Sequence, residues 1–233
     1  MSRDRARRGR NGLRRYLRDN GLSLALLGMF LVSLIGHLLT GQRTENLERF
    51  KRGQDLLSLG RYVASGAFVE SVFENWESEF LQMALYVVLT VSLRQKGSAE
   101  SKPPEGSQPV DADPRTADLR RRVPWPVRTG GWTLRLYENS LGIALGTLFA
   151  ASLLAHAIGG ARAESEKSGS DVTNILSATV AYLGSSRFWF ESFQNWQSEF
   201  LSVAVLVVLS VYLRQRGSPQ SKPVAAPHYE TGD

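Results

Sequence analysis

The feature that most constrains this chain is a pair of long apolar runs that contain no Asp, Glu, Lys or Arg. The runs are LSLALLGMFLVSLIGHLL at residues 22–39 and LGIALGTLFAASLLAHAI at residues 141–158. As a helix, a run of this length extends for ~27 Å, close to the ~30 Å apolar thickness of a bilayer. The two runs therefore predict membrane-spanning helices at about 22–40 and 140–159.

Two shorter apolar runs each follow a copy of the motif Asn-Trp-x-Ser-Glu-Phe-Leu. They are FLQMALYVVLTVSL at residues 80–93 and FLSVAVLVVLSVYL at residues 200–213. Each covers ~21 Å as a helix, which is too short to span a bilayer alone. Such a run also fits a buried helix of a soluble protein, but the longer partner runs favour a membrane. With the preceding motif included, we predict spans at about 74–93 and 194–213.

Both shorter spans carry an anchor residue at each end. Trp76 and Trp196 lie near the start of the predicted spans, and Arg94 and Arg214 directly follow them. Tryptophan is enriched at membrane–water interfaces, and basic residues are common at the cytoplasmic ends of spans. We therefore predict that these four residues are interface anchors.

The two halves of the chain match along most of their length. The first long run matches the second at an offset of 119, including His37 with His156. The Asn-Trp-x-Ser-Glu-Phe-Leu motifs match at an offset of 120, as do the closing segments LRQKGSAESKP and LRQRGSPQSKP. This series predicts two tandem two-helix repeats, which have the same orientation because each contains an even number of spans.

The predicted fold is an all-α membrane protein with four transmembrane helices and short outer surface helices. Its expected parts are a basic arm (1–21), repeat 1 (22–96), a disordered linker (97–133), repeat 2 (134–216) and a tail (217–233). The linker prediction follows from its Pro, Ser and Asp content. One surface helix is expected at 171–183, with Asp171 as its N-cap and Val172 on its apolar face.

The positive charges predict the orientation of the chain in the membrane. The arm (1–21) and the segments 94–140 and 214–233 together carry 20 Lys and Arg residues, whereas the loops 40–79 and 159–199 carry 8. Since cytoplasmic segments are enriched in basic residues, both termini should be cytoplasmic. The expected partners are the bilayer and its anionic lipids, with a homo-oligomer possible. Nucleic acid is not expected, because basic residues beside a first span usually set topology.

Polar side chains from both repeats are expected to form one layer near the outer membrane face. His37 and His156 lie close to the outer ends of their spans, and Glu79 and Glu199 lie at similar depth on the returning spans. Asn75 and Asn195 precede the two glutamates by four residues and share their helix faces. Because ionisable groups at membrane depth tend to face the bundle interior, these six residues are the candidate polar site.

Three interpretations of this polar layer remain open. In the first, the His and Glu side chains satisfy one another and lock the helices, or contact a partner. In the second, His37, His156, Glu79 and Glu199 form a small proton or ion pathway. In the third, the same four residues bind zinc or a similar ion, although no local metal motif accompanies them. We expect no metal and no cofactor.

Enzymatic motifs are not found in the sequence. It contains no nucleophile–base arrangement, no phosphate-binding glycine loop and no HExxH motif, and cysteine is absent. The sequence therefore predicts a non-enzymatic membrane protein whose polar layer is structural or binds a partner.

The repeated NWxSEFL, the closing LRQ(K/R)GSxxSKP and the paired histidines resemble a bacterial integral-membrane family catalogued as a domain of unknown function. The resemblance covers nearly the whole chain except the first dozen residues and the linker. It implies bacterial origin, an inner-membrane location and no assigned activity. It assigns no catalytic or binding residue.

Overall fold

The computed structural model describes residues 14–118, 120, 122–169 and 174–232. Every regular element within these ranges is helical. The chain divides into two units, Met1–Phe68 and Val69–Asp233. Most of the predicted basic arm, together with Asp171 and Val172 of the predicted surface helix, lies outside the described residues.

The first unit contains helix α1 (Gly21–Lys51), helix α2 (Leu59–Val63) and the start of helix α3 (Gly66–Ser92). The loop between α1 and α2 is fixed by Asn46, whose side chain accepts from Leu57 N–H at 2.7 Å and donates to Leu57 C=O at 2.9 Å. Ser58 caps α2 by accepting from the backbone N–H of Arg61. These bonds satisfy loop and helix-end groups that would otherwise lack partners.

The second unit begins in α3, although the sequence repeat predicts a boundary in the linker. The rest of α3 therefore belongs with the helices of the second half. Two short 3₁₀ turns follow, and then come α4 (Trp125–Thr129), α5 (Gly131–Glu138), α6 (Ser140–Ser168), α7 (Ile175–Leu183) and α8 (Ser186–Tyr212).

Three helices in the described residues are long and apolar enough to cross a membrane: α1, α6 and α8. Helix α3 has the same length as α8, 27 residues. It differs in its apolar half, where Gln82 and Tyr86 stand in place of Ser202 and Leu206 of α8. These more polar residues lower its mean hydropathy, so α3 is not among the three.

Small residues allow close packing around the later part of α6. A Cβ atom at Gly159 would collide with the backbone of Glu70 on α3, and one at Gly160 would collide with the Tyr182 ring on α7. Ala157 and Ala161 pack in the same buried cluster as Tyr182. Larger side chains at these positions would separate the helices, because packed interiors leave no spare volume.

Helix α7 lies within the segment 171–183, where the sequence predicts a surface helix. Its N-cap is Asn174, whose side chain accepts from Leu176 N–H at 3.0 Å and Ser177 N–H at 3.3 Å. The shorter helix α2 occupies the matching place in the first unit. Both halves of the chain therefore place a short helix between two long ones.

The segment 97–133 contains local structure, although its composition predicts disorder. The 3₁₀ turns are Pro109–Asp111 and Pro114–Thr116. Lys102 pairs with Asp111 at 2.5 Å, and the Asp111 side chain also accepts from the backbone N–H of Gln108 at 3.1 Å. Such local bonds fix the backbone of this segment in a conformation that composition alone does not predict.

Candidate functional site

His156 lies at the centre of a buried polar cluster in the second unit, and both its side chain and that of Glu77 are 0% exposed. Its Nδ1 atom is 3.0 Å from Glu77 Oε2 on α3. Its Nε2 atom is 3.5 Å from Glu191 Oε2 on α8, longer than a good hydrogen bond. The histidine thus connects three long helices.

The other carboxylate oxygen of Glu77 also has a partner within the cluster. Ser192 on α8 donates its hydroxyl to Glu77 Oε1 at 2.7 Å, and Ser192 is itself fully buried. A buried carboxylate is costly unless its oxygens are hydrogen-bonded. His156 and Ser192 together provide that compensation.

Tyr182 on α7 joins two further carboxylates. Its hydroxyl lies 2.9 Å from Glu70 Oε1 and 2.5 Å from Glu191 Oε2. Burial, followed by the hydrogen bond to Glu191, raises the pKa of the Tyr182 hydroxyl well above its ordinary value. The hydroxyl therefore keeps its single proton, which it can donate to either Glu70 or Glu191 at any one time.

Arg187, at the start of α8, binds three carboxylates at once. Its Nη2 is 3.0 Å from Glu70, its Nη1 is 3.0 Å from Glu164, and its Nε is 2.8 Å from Glu191. The rigid five-donor guanidinium suits such multiple contacts. Because the Glu164 side chain is 62% exposed, this arginine links the buried cluster to the surface.

Glu74 supplies a further acidic group, and Asn195 donates to its Oε1 at 2.6 Å. The inner carboxyls therefore belong to Glu70, Glu74, Glu77 and Glu191, and their cationic partners are Arg187 and, when protonated, His156. Acidic groups outnumber basic ones. The cluster is consequently a polar core with surplus carboxyls.

The structure brings two of the six predicted site residues, His156 and Asn195, into this cluster. His37 lies in the first unit, where its ring is 6.0 Å from that of Phe68 in an edge-on arrangement. Asn75 donates to the Ser71 carbonyl at 2.8 Å and is exposed. His37 and Asn75 each have a neighbour of their own, which is Phe68 for His37 and Ser71 for Asn75.

Glu79 and Glu199 interact electrostatically with each other. Glu79 is exposed and Glu199 is half-buried. The carboxylates that contact His156 are instead those of Glu77 and Glu191. Helical geometry explains the difference, because residues two apart on a helix point to nearly opposite faces.

The predicted tryptophan anchors pack among other aromatic rings. Trp76 lies edge-on to Phe73 at 5.2 Å, and Trp196 lies edge-on to Phe193 at 5.4 Å. Edge-on pairs at these distances are favourable. Each tryptophan therefore packs against an aromatic ring one turn earlier on its own helix.

The predicted arginine anchors terminate their helices by identical means. Arg94 Nη1 donates to the carbonyls of Val91 and Leu93 at 3.0 and 3.1 Å. Arg214 Nη1 donates to those of Val211 and Leu213 at 3.1 and 2.8 Å. Each satisfies carbonyls that the end of a helix leaves without partners.

The repeated closing segment continues this cap. The Ser101 hydroxyl accepts from the backbone N–H of Gln95 at 2.8 Å, and Ser221 accepts from that of Gln215 at the same distance. Gly97 and Gly217, with φ of 88° and 83°, make the turn between them. The motif LRQ(K/R)GSxxSKP is therefore a helix-terminating structure that occurs twice.

Five charged residues of the cluster were missed by comparing the repeats for identity. Glu70, Glu74, Glu77, Arg187 and Glu191 all occur at positions where the two halves differ, and their counterparts are Phe190, Gln194, Gln197, Ala67 and Ser71. A search for charges present in one half but absent from the other would have found them.

Metal binding was one interpretation of the sequence. Among the described residues, no group of three or more His, Cys, Asp or Glu side chains is arranged to hold a metal ion. The cluster instead contains an arginine and a tyrosine hydroxyl between the carboxylates. Hydrogen bonds and ion pairs therefore connect its members.

The fold and the cluster define an all-helical protein with helices long and apolar enough to cross a membrane and with a buried His–Glu–Arg–Tyr core. A family model described as Domain of unknown function (DUF6766) matches residues 13–233. The chain belongs to this family. Comparisons with curated proteins and with solved structures give no significant match.

Proposed function

We propose that this chain is a non-enzymatic integral membrane protein of four spans, built from two tandem repeats, whose His156 cluster is a structural polar core. The observation that carries the proposal is the position of His156, fully buried between Glu77 of α3 and Glu191 of α8. Contacts of this kind fix how helices pack where apolar packing is less specific. In this proposal the membrane is the bacterial inner membrane and both termini are cytoplasmic.

Matching geometry in the two units supports the tandem repeat. A Cβ atom at Gly41 would collide with Tyr62, as one at Gly160 would with Tyr182. The Ser65 hydroxyl donates to the Tyr62 carbonyl at 2.6 Å, and Ser185 donates to that of Tyr182 at the same distance. Each unit thus builds the same joint between its long helix and its short helix.

The fourth span is supported by the likeness of α3 and α8. Both helices have 27 residues and end at an arginine cap. The acidic residues in the first half of α3 have partners: Glu77 contacts His156, and Glu70 contacts Arg187. Paired carboxylates at the end of a span are compatible with a membrane helix.

The structural role is tested by replacing His156 with glutamine in the purified, detergent-solubilised chain. Removing one partner of a buried ion pair costs about 3–5 kcal/mol, because the other charge stays buried. We expect a marked fall in the temperature at which the helical circular dichroism signal is lost. The matched control is His37→Gln, at the equivalent position of the other half, with a smaller fall. Equal stability of His156→Gln and the parent chain would contradict the proposal.

A second candidate function is proton transfer. Glu77, His156, Glu191 and Tyr182 form a continuous series of groups that can each donate or accept a proton. The test is proton flux into vesicles that contain the reconstituted chain and a pH-sensitive dye. The pathway requires flux in the parent chain and its loss in a folded Glu191→Gln variant. A parent chain that gives no more flux than empty vesicles would reject it.

A further inference from the structure

A pocket of about 360 Å³ opens beside the polar cluster, between α6, α7 and α8. Its volume lies within the range of small-molecule sites. It is located past residue 158, where the apolar run of α6 ends. Its apolar wall consists of the methyl groups of Ala161, Ala178 and Ala181, and its polar wall includes Glu164, Ser165, Ser185 and Arg187.

The two serine hydroxyls that line this pocket both donate to backbone carbonyls. Ser165 donates its proton to the Ala161 carbonyl at 3.0 Å, and Ser185 donates its proton to the Tyr182 carbonyl at 2.6 Å. A hydroxyl has one donor and two acceptor lone pairs. With its proton committed, Ser165 has two lone pairs for a bound molecule. Ser185 has one, because its oxygen also accepts from Phe188 N–H at 3.2 Å.

The charge around the pocket is negative. Its one lining cation, Arg187, is shared among the carboxylates of Glu70, Glu164 and Glu191. Three carboxylates against one guanidinium leave surplus negative charge, and the exposed Glu164 carboxylate stands at the opening. A potential of this sign attracts cations and repels anions.

We propose that this pocket binds a small primary ammonium compound with a short alkyl tail. The ammonium group donates to Glu164 and to the serine hydroxyls, and the tail packs against the alanine methyls. An ammonium provides three donors and no acceptor, which complements this wall. Burying the tail removes apolar surface from water, which adds to the affinity. This binding function is independent of the structural role of His156.

The test is isothermal titration calorimetry at neutral pH. Three probes of equal length are titrated into the full chain in detergent micelles. Butylammonium has the proposed charge, butanol has none, and butyrate has the opposite charge. We expect saturable binding of butylammonium and none of butyrate or butanol. Equal binding of butanol would overturn the ammonium assignment, and no saturable binding of butylammonium would overturn the site.

Three variants locate the binding. Ala181→Leu fills the pocket from an exposed position, so it should abolish binding while the unfolding temperature stays unchanged. Glu164→Gln should weaken binding at least tenfold. Glu166→Gln removes a charge from the same helix outside the pocket lining and should leave binding within twofold of the parent. Unchanged affinity in a folded Ala181→Leu variant would place the binding elsewhere and overturn the proposal. Loss of stability in His156→Gln, by contrast, bears on the structural role alone.

Discussion

At the scale of single residues, glycine and tyrosine form the joint between α6 and α7. Gly160 brings the α6 backbone against the Tyr182 ring, and that contact places the tyrosine hydroxyl between Glu70 and Glu191. The same contact between Gly41 and Tyr62 occurs in the first unit. Glycine is needed at these positions because the tyrosine ring approaches the helix backbone closely, and not because the backbone makes a turn.

Gly160→Ala should therefore destabilise the chain. The added methyl group collides with Tyr182, and overpacking typically costs about 1–3 kcal/mol. The matched control is Gly146→Ala on the same helix, where no atom lies within 4 Å of the new Cβ. That change should be neutral or stabilising by up to about 1 kcal/mol, because alanine favours helix more than glycine does. Thermal unfolding in detergent measures both. Equal effects of the two substitutions would reject the close-contact explanation.

At the scale of the helices, the last turns of α3 and α8 are stabilised by the repeated closing motif. Further bonds occur there, since the Ser98 and Ser210 hydroxyls lie 2.7 Å apart. The tail contributes the Thr231 hydroxyl, which accepts from Gly97 N–H at 2.7 Å. The Lys222 ammonium, on a residue that is 1% exposed, donates to three tail carbonyls, of which the closest, Glu230, is 2.7 Å away. The tail is thus part of the helix-terminating structure.

Arg214→Ala should loosen the end of α8. The substitution leaves the carbonyls of Ser210, Val211 and Leu213 without the guanidinium donor. Loss of a helix cap costs about 0.5–2 kcal/mol. Hydrogen exchange should therefore speed up in the last turn of α8 while the rest of the helix is unchanged. Arg216→Ala, two residues further on, serves as the control and should leave exchange unaltered. Slow exchange in Arg214→Ala would show that the cap contributes little.

At the scale of the whole molecule, the charge distribution predicts that the linker and the loop after α6 lie on opposite sides of the membrane. The chain lacks cysteine, so a single introduced cysteine reports one position without interference. Ser107→Cys in the linker and Ser168→Cys at the end of α6 are both exposed sites.

In intact cells, an impermeant maleimide should label position 168 and leave position 107 unlabelled. The physical reason is that basic segments are retained in the cytoplasm during insertion. Labelling of both positions after the cells are permeabilised is the control for reactivity. Labelling of position 107 in intact cells would reverse the orientation.

The sequence by itself determined the helical class and the apolar helices α1, α6 and α8, because hydrophobic run length is a local property of the chain. It also located His156, Asn195 and the repeated closing motif. The tertiary structure decided which carboxylates meet the histidine. Glu77 was not predicted as a site residue, because its counterpart in the other half is Gln197. Its position on the helix turns Glu77, and not Glu79, toward α6. Contacts among α3, α6, α7 and α8 join residues more than 70 positions apart, and such pairings depend on packing that no local pattern encodes.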